Sequence, residues 1–185
     1  HFTDRRQRQM CIRDSTIISI IKQKGFFMAI KIYGRLSSAN VQKINWFCEY
    51  ANISVINLNY GGVHGKTQTT EFKDMNPNSR VPVLDDNNFI LYESNAILRY
   101  LSKKFDILVE EKKEISGKID QWIDWGSFTF ASPCSLLTAH KLSLPQDQRD
   151  ELIADKAKND ILSLLNILNI HLTKKDFIVD EKSVS

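Results

Sequence analysis

The chain of 185 residues has little cysteine, and its cysteines do not form a pattern that binds metal or builds a disulfide framework. Cys11, Cys48 and Cys134 are an odd number of thiols, with no CxxC pair and no zinc-site spacing. Free thiols are typical of a reducing compartment. We therefore expect reduced cysteines, no metal site and a cytoplasmic location.

Long hydrophobic runs are missing as well. The longest early apolar run, Thr16–Ile21, is too short to span a membrane. Lys22 and Lys24 follow it, where a secretory signal would have small residues at a cleavage site. The sequence thus predicts neither export nor membrane insertion.

Positive charge is scarce outside the N-terminus. The formal net charge is +3, but residues 1–27 alone hold six Arg or Lys and two Asp, so the rest of the chain carries −1. Without a basic surface, nucleic acid is not an expected partner. Residues 1–27 also lack periodicity, whereas a strand-like run begins at Met28. We interpret 1–27 as a non-native or disordered leader and Met28 as the native start.

From Met28 onwards, strand and helix patterns alternate. Ala29–Tyr33 alternates with period two, and Ile53–Leu58 also has the character of a strand. Between them lies a helical stripe formed by Val41, Ile44, Trp46, Phe47 and Tyr50. A glycine-rich loop at 61–66 and a short helix at Thr70–Met75 come next. This alternation indicates an α/β layer.

A Val-Pro pair precedes two short apolar runs. Because proline cannot donate to a strand ladder, Pro82 is expected at a strand start or, after a cis bond to Val81, in a tight turn. Val83-Leu84 and Phe89–Leu91 flank the turn-forming residues Asp85–Asn88 and predict an antiparallel hairpin.

Glu93 and Ser94 then open an amphipathic helix. Its apolar face is formed by Ala96, Ile97, Tyr100 and Leu101. The unpaired N–H groups and positive dipole end of such a helix favour a bound carboxylate.

Beyond about Lys104 the strand patterns stop and helical spacing takes over. The helical stripes comprise Ile115, Ile119, Trp122, Ile123, Gly126 and Phe130, and in part Leu152, Ile153, Lys156, Asp160, Leu164 and Leu168. Pro133 and Pro145 bracket the junction between them. We predict an α/β domain over residues 28–105 and an all-helical domain over 111–185.

Together these features resemble the cytosolic glutathione transferases, in which a thioredoxin-like βαβαββα domain with a mixed sheet precedes a helical domain. The motifs YGRLSSANVQKINW, NPNSRVPVL and ESNAILRYL carry the resemblance, which runs from about Met28 to the end of the chain. They look most like the bacterial theta-like or nu-like enzymes. Such relatives continue into a buried helix through a Ser-x-x-Asp capping box that Ser185 would begin, so we interpret the chain as a C-terminally truncated fragment.

The resemblance implies glutathione as co-substrate and Ser38 as the residue that hydrogen-bonds its thiolate. It makes Asn40 a second donor and Ser37 a neighbouring candidate. A thiol with a pKa of about 8.5 needs such help to ionise at neutral pH. By spacing alone, capping a helix is the commoner role for these side chains. Ser37-Ser38-Ala39-Asn40 occupies the slot in which thioredoxin-like oxidoreductases carry CxxC. Because this slot contains no cysteine, dithiol exchange by the protein itself is excluded.

The resemblance also assigns the rest of the tripeptide site. The backbone of Val81, before a cis Pro82, pairs with the cysteinyl unit; Glu93 counters the γ-glutamyl ammonium, and Ser94 holds its carboxylate. From the residues alone, a trans Pro82 and an ordinary cap at Glu93 and Ser94 remain open.

Two parts of the site are less specified. The glycyl carboxylate needs a cation or donors, for which we rank Arg80 and His64 above Lys66, although solvated loop charges are common. Leu36 and Trp125 are candidates for the electrophile pocket. Trp125 belongs to an aromatic run with Trp122, Phe128 and Phe130, which core packing or a dimer interface would also explain.

The leading functional hypothesis is a detoxifying glutathione S-transferase that adds the thiol to hydrophobic electrophiles and forms a homodimer. A glutathione-dependent disulfide or peroxide reductase is the second hypothesis. The third is a non-catalytic protein-interaction member of the same fold.

Overall fold

The computed structural model describes residues 29–173 and 175–179. The interpretations of residues 1–27, of Met28 and of Ser185 fall outside these residues. The chain divides into two compact units between Leu101 and Ser102.

The first unit has the element order βαβαββα. Its strands are β1 (Ile30–Tyr33), β2 (Val55–Leu58), β3 (Val83–Asp86) and β4 (Phe89–Tyr92). Its helices are α1 (Ala39–Tyr50), α2 (Thr70–Met75) and α3 (Ser94–Phe105, which runs on past Leu101), with a 3₁₀ turn at Gly62–His64. The strand order is β2-β1-β3-β4, with β1 and β2 parallel and the other pairs antiparallel. The predicted thioredoxin-like α/β fold is confirmed.

The register brings four strand ends together. Leu58, Tyr33, Val83 and Tyr92 lie side by side across the sheet. Three of them end their strands, whereas Val83 begins β3. The segments after β1, β2 and β4 and the segment before β3 therefore all meet the sheet at one end, which we call the convergent end.

The core of the first unit lies between the central strands and the three helices. Its fully buried side chains include Ile32, Val41, Ile44, Cys48, Phe72, Leu84, Ile97 and Leu101. Two members of the stripe predicted for α1 are exposed, since Trp46 and Tyr50 have 68% and 59% of their surface accessible. They stand five and nine residues after Val41, which turns them roughly 140° and 180° away from the buried face.

The hairpin is tighter than predicted. Asp86 pairs with Phe89, so the turn consists of Asn87 and Asn88 alone, with φ of 55° and 70°. Asparagine tolerates positive φ, which a two-residue hairpin turn requires at both positions. Asp85 and Asp86 belong to β3 and are buried.

The buried carboxylates of β3 are paired. Lys31 Nζ lies 3.1 Å from Asp85 Oδ2. The Tyr100 hydroxyl donates to Asp86 Oδ2 over 2.7 Å. The two aspartates therefore extend the strand without leaving a buried charge unpartnered.

The second unit is helical, as predicted. It contains α4 (Lys113–Asp124), α5 (Ala131–Thr138) and α6 (Glu151–Leu172), with π-helical segments at Trp125–Phe130 and Ala139–Ser143 and a 3₁₀ turn at Gln146–Gln148. Helices α5 and α6 pack against each other.

The buried positions of α6 differ from the predicted stripe. Leu152 is 82% exposed, whereas Ala154 and Ala157 are buried. Leu152 lies in the first turn, where its N–H, with that of Ile153, donates to the capping carboxylate of Asp150. Small side chains therefore occupy the two buried positions in the first half of this helix. None of the helices within the described residues has both the length and the apolar character needed to cross a membrane.

Candidate functional site

Gly34, directly after β1, lets the chain pass close to two neighbouring elements. Its N–H donates to the Leu58 carbonyl over 2.8 Å. A Cβ at this position would lie 2.4 Å from Val41 Cγ2 and 3.4 Å from Val81 Cβ. The loop that leads to Ser38 is therefore packed against Val81 at the convergent end.

Ser38 occupies the N-cap position of α1, but its side chain does not cap the helix. Its φ and ψ are −83° and 123°, and its hydroxyl makes no capping hydrogen bond. Its carbonyl accepts from the N–H groups of Val41 and Gln42, each over 2.9 Å. Within the described residues the half-buried hydroxyl has no hydrogen-bond partner, so it is available to a ligand. Ser37 precedes it in an exposed turn.

Asn40 and Ser94 lie on different helices and contact each other directly. The Ser94 hydroxyl donates to Asn40 Oδ1 over 3.2 Å, and Ser94 is 7% exposed. The Asn40 side chain uses its carbonyl oxygen in this bond, so its amide N–H groups are the part that can donate to a ligand. The bond joins the start of α1 to the start of α3.

Val81 and Pro82 precede β3 and are joined by a cis peptide bond, the alternative that the resemblance favoured. Within residues 29–173 and 175–179, neither the N–H nor the C=O of Val81 makes a hydrogen bond. Pro82 is buried. Unpaired backbone beside a strand start is a place where an extended peptide can pair.

Glu93 has an unusual backbone conformation. Its φ is +70°, which is uncommon for a non-glycine residue, and its carbonyl accepts from Ile97 N–H over 2.9 Å as α3 begins. Such conformations are enriched at ligand sites because the surrounding structure must hold them. The exposed side chain of Glu93 thus stands beside the helix start formed by Ser94.

Sequence reasoning missed Lys43. This residue lies one turn after Asn40, and its Nζ donates to Asn95 Oδ1. Burial lowers the pKa of Lys43. The negative charge of Glu93 raises this pKa in part, and the positive charge of Arg99 lowers it further. A lysine three residues after a candidate donor on the same helix was the available signal.

The candidates for the glycyl carboxylate are exposed. His64 lies in the 3₁₀ turn after β2, and Arg80 precedes Val81. Within the described part of the chain, the side chains of His64 and Arg80 make no hydrogen bond or ion pair. Lys66 Nζ lies 5.3 Å from the centre of the Tyr60 ring.

The two electrophile-pocket candidates have different surroundings. Leu36 is 57% exposed, and its carbonyl accepts from Gln42 Nε2. Trp125 belongs to an aromatic cluster of the second unit, with ring centres 5.2 Å from Trp122 and 5.6 Å from Phe130. Among the described residues, no group of three or more His, Cys, Asp or Glu side chains is placed to hold a metal ion.

Comparison with known proteins gives consistent matches. The family model "Glutathione S-transferase, N-terminal domain" matches residues 28–103. Glutathione S-transferase GstB of Escherichia coli K12 is 29% identical over 160 residues, covering 84% of this chain and 77% of that protein. Elongation factor 1-gamma of Danio rerio is 31% identical over 107 residues, covering 57% of this chain and 23% of that protein.

A solved structure extends the similarity to both units. The theta class glutathione S-transferase of Xanthomonas axonopodis pv. citri, crystallised with glutathione bound, is 31% identical. It superimposes with a TM-score of 0.78, and the match covers 83% of this chain and 75% of that chain. The chain belongs to the glutathione S-transferase family.

Proposed function

We propose that this protein is a glutathione transferase that binds glutathione at the convergent end and stabilises its thiolate with a hydrogen bond from the hydroxyl of Ser38, while the thiol proton is released to solvent. One observation carries the proposal: the hydroxyl of Ser38, a half-buried serine at the N-terminus of α1, makes no capping or other hydrogen bond within the described residues. A side chain placed to cap a helix, but not used for it, is free to donate to a ligand.

The chemistry follows from this placement. A hydroxyl donor and the positive end of α1 both stabilise an anion, and each unit by which the thiol pKa falls is worth about 1.4 kcal/mol. The thiolate then uses its electron pair to form a bond to an electrophilic carbon. In a substitution, the leaving group departs with the electrons of the bond that breaks. The amide of Asn40 supplies a second donor.

The remaining groups hold the tripeptide. The free N–H and C=O of Val81, before Pro82, pair with the cysteinyl unit. Ser94 and the N-terminus of α3 take the γ-glutamyl carboxylate, and Glu93 takes the ammonium. We keep Ser37, His64 and Arg80 as further glutathione contacts, and Leu36 and Trp125 as electrophile contacts.

The test is the thiol pKa of bound glutathione, read from thiolate absorbance as pH is varied. Ser38→Ala should raise it by about one unit, or about 1.4 kcal/mol, while affinity for glutathione changes less. Ser116→Ala, in α4, is the control. An unchanged titration in Ser38→Ala would remove Ser38 from the mechanism. A shift in Ser37→Ala instead would assign the role to its neighbour.

A non-catalytic role is the second candidate, favoured by the similarity to an elongation factor. Failure of the protein to bind immobilised glutathione would support it. If glutathione binds, the turnover rates of two substrates distinguish the reactions. A mixed disulfide reports reduction, and a chloronitrobenzene reports conjugation.

We also propose that the protein is a cytoplasmic homodimer. Cys48 and Cys134 are both free, as is typical of a reducing compartment. Light scattering on purified protein measures the oligomeric state, and a monomer at micromolar concentration would contradict the proposal.

A further inference from the structure

Arg35 is a half-buried cation in the loop between β1 and Ser38. Its carbonyl accepts from Ser38 N–H over 3.0 Å. Within residues 29–173 and 175–179, however, its guanidinium makes no hydrogen bond or ion pair. An arginine that is partly withdrawn from water is normally paired, because its five N–H donors cannot be satisfied by apolar surroundings.

The backbone after β2 provides the space in which this side chain lies. A Cβ on Gly62 would be 2.8 Å from Cδ and 3.0 Å from Nε of Arg35. A Cβ on Gly61 would be 3.4 Å from Nη1 of Arg35 and also 3.4 Å from Cγ1 of Val81. Both glycines have positive φ, 78° and 56°. The guanidinium therefore lies along Gly61 and Gly62. Both the guanidinium and the Val81 side chain lie next to Gly61.

We propose that Arg35 binds a carboxylate of the substrate that lies beside Val81. This inference rests on the proposed function, to which it adds a specificity-determining residue. The planar guanidinium matches a carboxylate with two parallel N–H···O bonds. Because Arg35 is half-buried, its charge is less screened than that of exposed Arg80. Sequence reasoning considered only the exposed side chains of His64, Lys66 and Arg80 for this task and did not include Arg35.

Two groups have the required chemistry: the glycyl carboxylate of glutathione and an acidic group on the electrophile. Calorimetric binding of glutathione and of its glycyl ethyl ester tests the first source. Turnover of a chloronitrobenzene and of the matching chloronitrobenzoate tests the second. Each pair differs in one carboxylate, so the ratio within a pair isolates that group.

The full chain is compared as wild type, Arg35→Gln and Arg35→Lys, with Lys73→Gln of α2 as the control for loss of an exposed cation. Each ratio is the value for the compound with the carboxylate divided by the value for its partner without it. Arg35→Gln should reduce one of the two ratios on the order of tenfold, as expected for loss of a charged hydrogen bond. Arg35→Lys, which keeps the charge, should retain part of the preference. The control should retain all of it.

The outcomes separate the two proposals. If the wild type binds no glutathione, the proposed function fails, and the role of Arg35 fails with it. If the wild type binds glutathione and both ratios in Arg35→Gln equal those of Lys73→Gln, only the role of Arg35 is overturned. Melting temperatures show whether the loop packing survives in each variant.

Discussion

The hydroxyl of Ser94 donates a hydrogen bond to Oδ1 of Asn40, 3.2 Å away, and so connects the first turns of α1 and α3. One turn further along α1, Lys43 makes a second connection, to Asn95. Two adjacent residues of α3 thus hold two residues on one face of α1. These bonds set the spacing between Ser38 and Glu93, which we propose to contact different ends of glutathione.

The bond between Asn40 and Ser94 should be measurable as an energetic coupling. We expect Asn40→Ala and Ser94→Ala each to destabilise the first unit, and the double variant to lose about 1 kcal/mol less than the sum, because the shared bond is lost only once. Urea unfolding of the four proteins measures this coupling. Asn40→Ala combined with Ser116→Ala is the control pair and should be additive. Additive losses at Asn40 and Ser94 would contradict the contact.

Lys43 should make stability depend on pH in the alkaline range. Burial lowers the pKa of Lys43 below its ordinary 10.5. Between the folded value and 10.5, the unfolded chain therefore holds more protons, and stability rises with pH. Lys43→Met removes this group. The stability of the wild type minus that of Lys43→Met should therefore increase from neutral pH towards 10.5.

The control for this measurement is a substitution of another lysine. Lys73→Met changes an exposed residue of α2 and is subtracted at each pH. Cys48 and Tyr100, whose pKa values burial raises to about 11 and about 12, act in the opposite direction at high pH. They are present in every variant, so they cancel in the difference. A difference that falls as pH rises would contradict burial of the Lys43 ammonium.

Local patterns predicted most of the fold. A period-two run predicted the position of β1, a short apolar run after turn-forming residues predicted β4, and the Glu-Ser pair predicted the start of α3 at Ser94. What the patterns missed depends on contacts between distant segments. Nothing near Lys43 in the sequence indicates Asn95, 52 positions later, as its partner. Similarly, the position of Arg35 depends on Gly61 and Gly62, which only the pairing of β1 with β2 brings alongside.

Aromatic residues misled the sequence analysis for a related reason. Trp46 and Tyr50 have large apolar surfaces, and a search for a hydrophobic stripe includes them. The buried face of α1 instead consists of Val41, Ile44 and Cys48. Size and hydropathy do not specify which face of a helix meets the sheet, because that choice depends on the whole layer.

Cys48 should resist alkylation in the folded protein. It is 1% exposed, and burial raises its pKa to about 11 from 9.0, which lowers the thiolate fraction at neutral pH roughly a hundredfold. Half-buried Cys134 is the internal comparison. Mass spectrometry after iodoacetamide treatment should show Cys134 modified first, and equal modification of both in denaturant. Equal rates in native buffer would contradict burial of Cys48.

Two glycines with opposite surroundings test the packing at the convergent end. Gly34→Ala should destabilise the protein by about 1 to 3 kcal/mol, because the new methyl would lie 2.4 Å from Val41 Cγ2 and force it to move. Gly117→Ala is the matched control. Nothing lies within 4 Å of a Cβ there, and alanine favours the interior of α4, so stability should be unchanged or rise by up to about 1 kcal/mol.

The source of the Gly34→Ala effect can be identified by adding Val41→Ala, which removes the obstructing Cγ2. The double variant should then be less destabilised than the sum of the two single variants, because the methyl at position 34 enters the space that Val41 has left. Urea unfolding gives all the values. Equal effects of Gly34→Ala and Gly117→Ala, or strict additivity with Val41→Ala, would show that the loop leading to Ser38 is not packed against α1.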